Sequence, residues 1–405
     1  MTPATDTVHR GRWTLADRLE QPLRELPFEV PRGTAGITVE LSYERAAGVL
    51  DLGCLGPAGY RGWSGGARDG YTVAADWATP GYLPGEPEPG EWQVLLRLHR
   101  VPSTGLEYQL RITTTGERPT PPAAPPDPPV PERPPRRPLP GVDGLRWLAG
   151  DCHSHTVHSD GALTPAELAA LAAAQGLDFL AVTDHNTTSH HPLLPGVGAR
   201  YGLTLLPGQE VTTDTGHANV LGDVGWVDFR RPADHWLAHA RRRGGLFSIN
   251  HPVGSDCAWR NPLTDRPRHV EVWHSGWFDR RWGAPLAWSA AWRPDVVALG
   301  GSDFHRLGDD ALPGRPTTWV LAEDDSPGAV LAALAAGRVA VSAGPRAPLL
   351  LRLGDELLAL DAEGTALVRP DGGRLVVHGD RAVLPAVPGP HRLESVENEV
   401  VALAG

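Results

Sequence analysis

Thirteen of the 17 histidines fall between His153 and His305, and their spacing carries chemical information. In His153-Ser-His155 two imidazoles lie on one side of an extended segment, because strand side chains alternate faces. Asp160 follows in the loop Ser-Asp-Gly. His185 comes just after the apolar run FLAVT, Glu210 after LTLLPGQ, His217 opens HANVLG, and His251 follows LFSIN. Asp303 and His305 form a second i, i+2 pair after VVALGG. Imidazole and carboxylate suit zinc, manganese or iron(II), and a carboxylate such as Glu210 can bridge two ions. A lone strand-end histidine is more often a surface group, and a lone Asp160 more often a turn residue capping a helix. Two such pairs with further His and acid residues at strand ends outweigh those readings and point to two or three divalent ions. His158, His190, His191, His235, His239 and His269 lack that context and read as surface or supporting groups.

Most of these positions follow short apolar runs, which places them at the C-terminal ends of strands. Parallel α/β folds gather their catalytic groups there. From about Leu145 the patterns alternate. Thr164 as N-cap, Pro165 at the first helical position and Glu167 three residues on predict a capped helix, stopped by Gly176. The strand Phe179–Thr183 comes next. A helix over Ala233–Arg243 leads through Gly244-Gly245 into the strand Leu246–Asn250. Val296–Leu299 reads as a strand and Pro327–Ala336 as a helix ended by Gly337. Repeated β-α alternation implies a mostly parallel sheet, open or closed into a barrel.

The flanks differ. Residues 1–115 read as a small β-sandwich, with alternating runs such as Gly36–Leu41, Trp92–Leu98 and Glu107–Thr113 and with Trp63, Trp77 and Trp92 expected in its core. Residues 116–141 are proline-rich and predict a semi-rigid spacer. The α/β region spans 142–345, and 346–405 reverts to short apolar runs with Asp-Gly and Pro-Gly turns, a small β-rich appendage.

Composition excludes several classes. The net charge of −11 argues against a broad, non-specific hold on nucleic acid, which needs clustered cations. The 405 residues contain no lysine, so P-loop, Schiff-base and carboxylated bridging lysines are all excluded. The three cysteines are far apart and imply no disulfide framework. No apolar run approaches the roughly 20 residues of a membrane helix, and the first residues lack a secretion-signal pattern. The expected setting is cytoplasmic, with no membrane partner.

The runs GDCHSHTVHSDG, AVTDHNT, PGQEVTT, GHANVLG, INHP and GGSDFH resemble, in order, the motifs of the polymerase-and-histidinol-phosphatase (PHP) metallohydrolases. GHANVLG and EVWHSGW resemble the CehA/McbA-like branch most. The resemblance covers about Leu145 to Gly344 and implies a distorted (β/α)7 barrel, preceded here by the sandwich and followed by the appendage. It implies that His153, His155, Glu210 and Asp303 hold one ion. Glu210 would bridge to a second ion held by His217 and His251, and Asp160, His185 and His305 would hold a third. The implied reaction is hydrolysis by a metal-bridging hydroxide, with Asp303, His217 and His251 as candidates for proton transfer.

Most members of that family act on phosphate esters, so a small phosphomonoester or phosphodiester is the expected substrate. Arg306, after SDFH, and Arg260, after INHP, could meet phosphate oxygens. Trp259, Trp273, Trp277, Trp282, Trp288 and Trp292 fall in one stretch that could line an aromatic pocket, with core packing the simpler reading for most. Trp259, Trp273 and His274 follow strand ends and are the other substrate-side candidates. A carbamate, carboxylic ester or amide is the alternative substrate class for the same metal site. A non-catalytic, metal-containing binding protein is a further alternative.

Overall fold

The computed structural model describes residues 5–277, 279–281, 283–309 and 311–405, so Trp282 lies outside the described residues. The chain divides into two compact units. One comprises residues up to 126 together with 157–160 and 185–190; the other comprises 127–156, 161–184 and 191–405.

In the first unit, strand alternation builds two four-stranded antiparallel sheets. Along Gly36–Tyr43, Ile37, Val39 and Leu41 turn inward while Glu40 and Ser42 face out. Leu110 and Ile112 join them from Leu106–Thr115. Leu50 and Leu52 face these from the second sheet, with Trp92, Val94, Leu96 and Leu98 of Gly90–Arg100. Trp63 and Trp92 are buried in this unit, but Trp77 is only half-buried. Its indole N–H donates to the Pro119 carbonyl at 2.9 Å, because the early proline-rich segment runs past it. A ring with a polar edge settles where that edge finds an acceptor.

The second unit is a mixed α/β fold with large sheets and few helices. In one sheet the strands run Val297–Gly301, His269–His274, Leu246–Ile249, Gly216–Leu221, Thr204–Thr213, Phe179–Val182, Arg146–Asp151 and Thr317–Ala322, in that order. Beyond Arg146–Asp151 and Val297–Gly301, the chain makes a parallel bridge at Ser154 and Phe304. The expected capped helix is present over Pro165–Ala174. The Thr164 hydroxyl accepts from the Glu167 N–H, and the Glu167 carboxylate accepts from the Thr164 N–H. Helices Leu194–Tyr201, Ala233–Arg242, Ala284–Trp292 and Pro327–Ala335 follow.

The β-α alternation is incomplete. Thr204–Thr213 and Gly216–Leu221 form an antiparallel hairpin with no helix between them, joined by the two-residue turn Asp214-Thr215, with Gly216 at φ 124° opening the second strand. The proline-rich residues after 126 lie along this unit: Tyr201 donates to the Pro128 carbonyl at 2.8 Å, and Arg136 pairs with Asp178 at 2.8 Å. Val400–Ala404 pairs with Val339–Ser342, so the last strands extend the large sheet. Among the described residues, no helix is long and apolar enough to cross a membrane.

Candidate metal centre

The strand Arg146–Asp151 delivers His153 and His155 in extended chain just past its C-terminal end. The His153 carbonyl accepts from the Asp303 N–H at 3.0 Å, and the His155 N–H donates to the Phe304 carbonyl at 3.0 Å. Two chain segments are thereby held side by side. Asp151 fastens the same junction from beneath, accepting from the N–H groups of His153 at 3.1 Å, Ser302 at 3.0 Å and Gly314 at 2.8 Å. Burial pushes the Asp151 carboxyl up to about 6 despite these bonds.

Hairpin register supplies Glu210 and His217. Thr212 pairs with His217 and Glu210 with Asn219, so Glu210 and His217 are diagonal neighbours on one face. His217 Nδ1 lies 3.2 Å from Glu210 Oε1, as does His251 Nε2. Asn250 donates to the same oxygen at 2.8 Å. His251 has φ of 25° and Asp303 φ of 50°, a region L-residues rarely occupy and one that recurs at functional sites.

The donors converge. His153 Nε2 lies 3.1 Å from His155 Nε2, 3.3 Å from Glu210 Oε1 and 3.1 Å from Asp303 Oδ1. His155 Nε2 lies 2.8 Å from Asp303 Oδ1 and 3.6 Å from Glu210 Oε2. Ligands about 2.1 Å from a shared ion stand roughly 3.0 to 3.4 Å apart for octahedral or tetrahedral angles. The observed separations bracket that range, so this donor set fits a divalent ion.

Glu271, which the sequence reading passed over, explains how His153 is aimed. Its Oε1 accepts from His153 Nδ1 at 2.9 Å, and its Oε2 from the His251 N–H at 2.9 Å. In the neutral ring this holds the proton on Nδ1 and turns the Nε2 lone pair to the cluster. The signal available was a carboxylate buried inside the apolar strand His269–His274. A bulge in that strand, between Glu271 and Trp273, brings His274 into play as well. His274 Nδ1 accepts from the Gly276 N–H at 3.0 Å, so its proton sits on Nε2 and is donated to Asp303 Oδ2 at 3.1 Å. His274 thus meets the carboxylate of Asp303 directly.

Opposed forces set the charges. Burial alone would lower the pKa of His153, but Asp303, Glu271 and Glu210 hold it well above the ordinary imidazole value. His251 is raised in the same way, against its burial, by Cys257, Glu210 and Glu271. Burial would raise Asp303, yet His153, His155 and His274 hold it well below the usual carboxylate range.

The remaining expected residues are distributed as follows. Asp160 and His185 belong to the sandwich unit, with His185 Nε2 3.5 Å from Asp160 Oδ1. His305, in the larger unit, stacks on His155 with ring centroids 4.3 Å apart. Trp259 is buried edge-on to Phe247 and Trp273 edge-on to Trp277, so both are packed in the interior. Trp288 and Trp292 stack on each other, with the Arg266 guanidinium over Trp292. The Arg260 guanidinium donates to the carbonyls of Asp214 and Asp256, while Arg306 is exposed. His158 and His190 are buried rather than at the surface, and His158 Nδ1 lies 2.7 Å from the Ser189 hydroxyl.

No family model matches the chain. Over 65 residues, 16% of this chain and 22% of the relative, it is 45% identical to the 5'-3' exoribonuclease Rnm of Salmonella typhimurium. Over 70 residues, 17% of this chain and 25% of the relative, it is 41% identical to the 3',5'-nucleoside bisphosphate phosphatase of Chromobacterium violaceum. The chain thus spans about a quarter of the length of these curated relatives. Among solved structures, a two-domain Bacteroides vulgatus protein described as containing a predicted PHP-like metal-dependent phosphoesterase aligns with a TM-score of 0.46 at 17% identity. That match covers 67% of this chain and 98% of the other. An amidohydrolase from Chromobacterium violaceum aligns with a TM-score of 0.31 at 20% identity, over 40% of this chain and 89% of that one.

Proposed function

We propose that this chain is a metal-dependent phosphoesterase of the PHP superfamily, in its CehA/McbA-like branch. The observation that carries the reading is the convergence of His153 Nε2, His155 Nε2, Glu210 and Asp303 at separations of 2.8 to 3.6 Å. The short alignments with an exoribonuclease and a bisphosphate phosphatase support phosphate esters as the substrate class. His153, His155, Glu210 and Asp303 would hold one ion, and Glu210 with His217 and His251 a second. Asp160, His185 and His305 complete the ligand set by resemblance, for a third. Zinc, manganese and iron(II) all suit these donors.

Bound divalent ions would lower the pKa of a water molecule and neutralise charge on the phosphoryl oxygens. The chain's own residues do the rest. Glu271 keeps the His153 proton on Nδ1 and so keeps Nε2 available as a ligand. Asp303 is the proton acceptor we assign to the attacking water, and His274 orients it through Nε2–H. His217 and His251 remain candidates for returning a proton to the leaving group. Arg306 is the cation we assign to the outer phosphate oxygens, since the Arg260 guanidinium is engaged with loop carbonyls.

The test loads purified protein with Zn(II) or Mn(II) and offers p-nitrophenyl phosphate, bis-(p-nitrophenyl) phosphate, p-nitrophenyl acetate and a 1-naphthyl carbamate. Turnover of a phosphate ester, abolished in Asp303→Ala and His155→Ala, is expected. Turnover confined to the carbon esters would move the chain to the carbamate, ester or amide class. No turnover of any substrate, with ions bound, would leave a metal-containing binding protein.

A further inference from the structure

Segments 157–160 and 185–190 carry Asp160 and His185, and both are built into the sandwich unit. Their attachment is specific. The Tyr60 hydroxyl donates to the carbonyl of Asn186, the residue next to His185, at 2.9 Å. The Arg68 guanidinium donates to the Val157 carbonyl, and its Nε donates to the Pro80 carbonyl at 3.1 Å. The Gly81 N–H donates to the Ser189 hydroxyl at 3.0 Å, and the Thr187 hydroxyl donates to the Gly81 carbonyl at 2.9 Å. His158 Nδ1, 2.7 Å from Ser189 Oγ, ties the two segments to each other.

These contacts are buried. Asn186 is 1% exposed and Thr187 0%. Gly81 has φ of 99°, and a Cβ there would lie 2.9 Å from the His158 carbonyl oxygen and 2.7 Å from that of Trp63. Only glycine allows the loop this close to the segment. Strand Gly59–Gly65 carries Tyr60 and the buried Trp63, and Tyr82 beside Gly81 is part of the core, so the sandwich sets where these hydrogen-bonding groups stand.

We infer that the sandwich is a positioning device for the Asp160–His185 ligand pair, with Tyr60, Arg68 and Gly81 as its positioning residues. This rests on the reading of Asp160 and His185 as ligands given above. Tyr60 ends on the carbonyl of Asn186, next to His185, Arg68 on that of Val157, three residues before Asp160, and Gly81 on the hydroxyls of Thr187 and Ser189; the ring and carboxylate these segments carry stand 3.5 Å apart. Partners that touch a ligand side chain itself are worth roughly 10- to 100-fold in metal affinity, and supports that act through the chain beside it belong at the lower end of that range.

The experiment titrates Mn(II) into chelated, full-length protein, resolving each ion by calorimetry and counting ions per chain by elemental analysis. Tyr60→Phe, Arg68→Gln and the double variant are compared with Asp160→Asn. The double variant is expected to weaken one ion by roughly tenfold, the same ion that Asp160→Asn loses. The other ions should stay within about twofold, and the chelated double variant should unfold at the wild-type temperature. Tyr60→Phe, which keeps the ring and its packing, should show a smaller effect on the same ion. If the double variant binds every ion as wild type does while Asp160→Asn loses one, the positioning role is wrong and the ligand assignment stands. If Asp160→Asn also loses none, the ligand assignment fails and takes the positioning role with it. Uniform weakening of all ions, or early unfolding of the chelated double variant, would show a general structural role and overturn the inference.

Discussion

Glu271 and His274 never ligate in the sequence-derived set, yet each decides the state of a residue that does. Glu271 is buried and accepts from both His153 Nδ1 and the His251 backbone. Glu271→Gln keeps the volume but places an amide against the imidazole, which relaxes the choice of tautomer. Metal affinity should drop roughly 10- to 100-fold, read as ion content after gel filtration against a weak chelator; unchanged content would mean that Nδ1 needs no carboxylate. At His274 the tautomer is assigned by the Gly276 N–H, so the useful atom is Nε2–H. Glutamine can place an N–H near that point and leucine cannot. His274→Leu should therefore cut kcat at least tenfold, with His274→Gln recovering part of it and KM changing little in either. Equal loss in both variants would show that Asp303 does not depend on this donor.

At the scale of elements, the legible parts were those with a local cause. The helix Pro165–Ala174 was predicted from its capping box and found with both cap bonds made. The pairing of His153 with His155 followed from strand periodicity, and their Nε2 atoms do meet. What stayed hidden depends on chain neighbours far away in sequence. Periodicity alone is silent on the approach of Glu210 to His217, expected only from the motif resemblance and made by a hairpin register, and on that of Glu271 and His274, which comes from a bulge. Gly301 shows the same limit. It reads as one of two glycines in VVALGG, yet a Cβ there would lie 2.0 Å from Glu271 Oε1 and 2.6 Å from His153 Cβ. Gly301→Ala must move Glu271 or the strand Val297–Gly301. We expect a loss of about 1 to 3 kcal/mol in denaturant unfolding of the chelated protein, with a loss of metal affinity resembling that of Glu271→Gln. Wild-type ion binding in this variant would show that the strand can yield without disturbing His153.

For the whole molecule, the metal centre proposed above sets protons and metal ions in competition for the same nitrogens, and this gives stability two opposite dependences on pH. Without metal, His153 and His251 are held charged by the carboxylates around them, with pKa values raised above the ordinary imidazole value. Such groups stabilise the fold fully below the unfolded imidazole value, about 6.5. That contribution is lost as pH rises through their raised folded values. Metal binding requires the neutral rings, so loading expels protons and strengthens as pH rises. Chelated protein should therefore lose stability between neutral and mildly alkaline pH while metal-saturated protein holds or gains it. At an ion concentration about a hundred times Kd, linkage contributes about 2.7 kcal/mol per site, or roughly 5 to 10 °C in Tm for a unit of this size. Scanning calorimetry with and without Mn(II) from pH 6 to pH 8.5 should show the gap widening with pH. Calorimetric titration at fixed pH, in buffers of different ionisation enthalpy, should report net proton release per ion. A pH-independent gap with no proton release would mean that the clustered histidines are already neutral without metal, and that carboxylates alone do not set their charge.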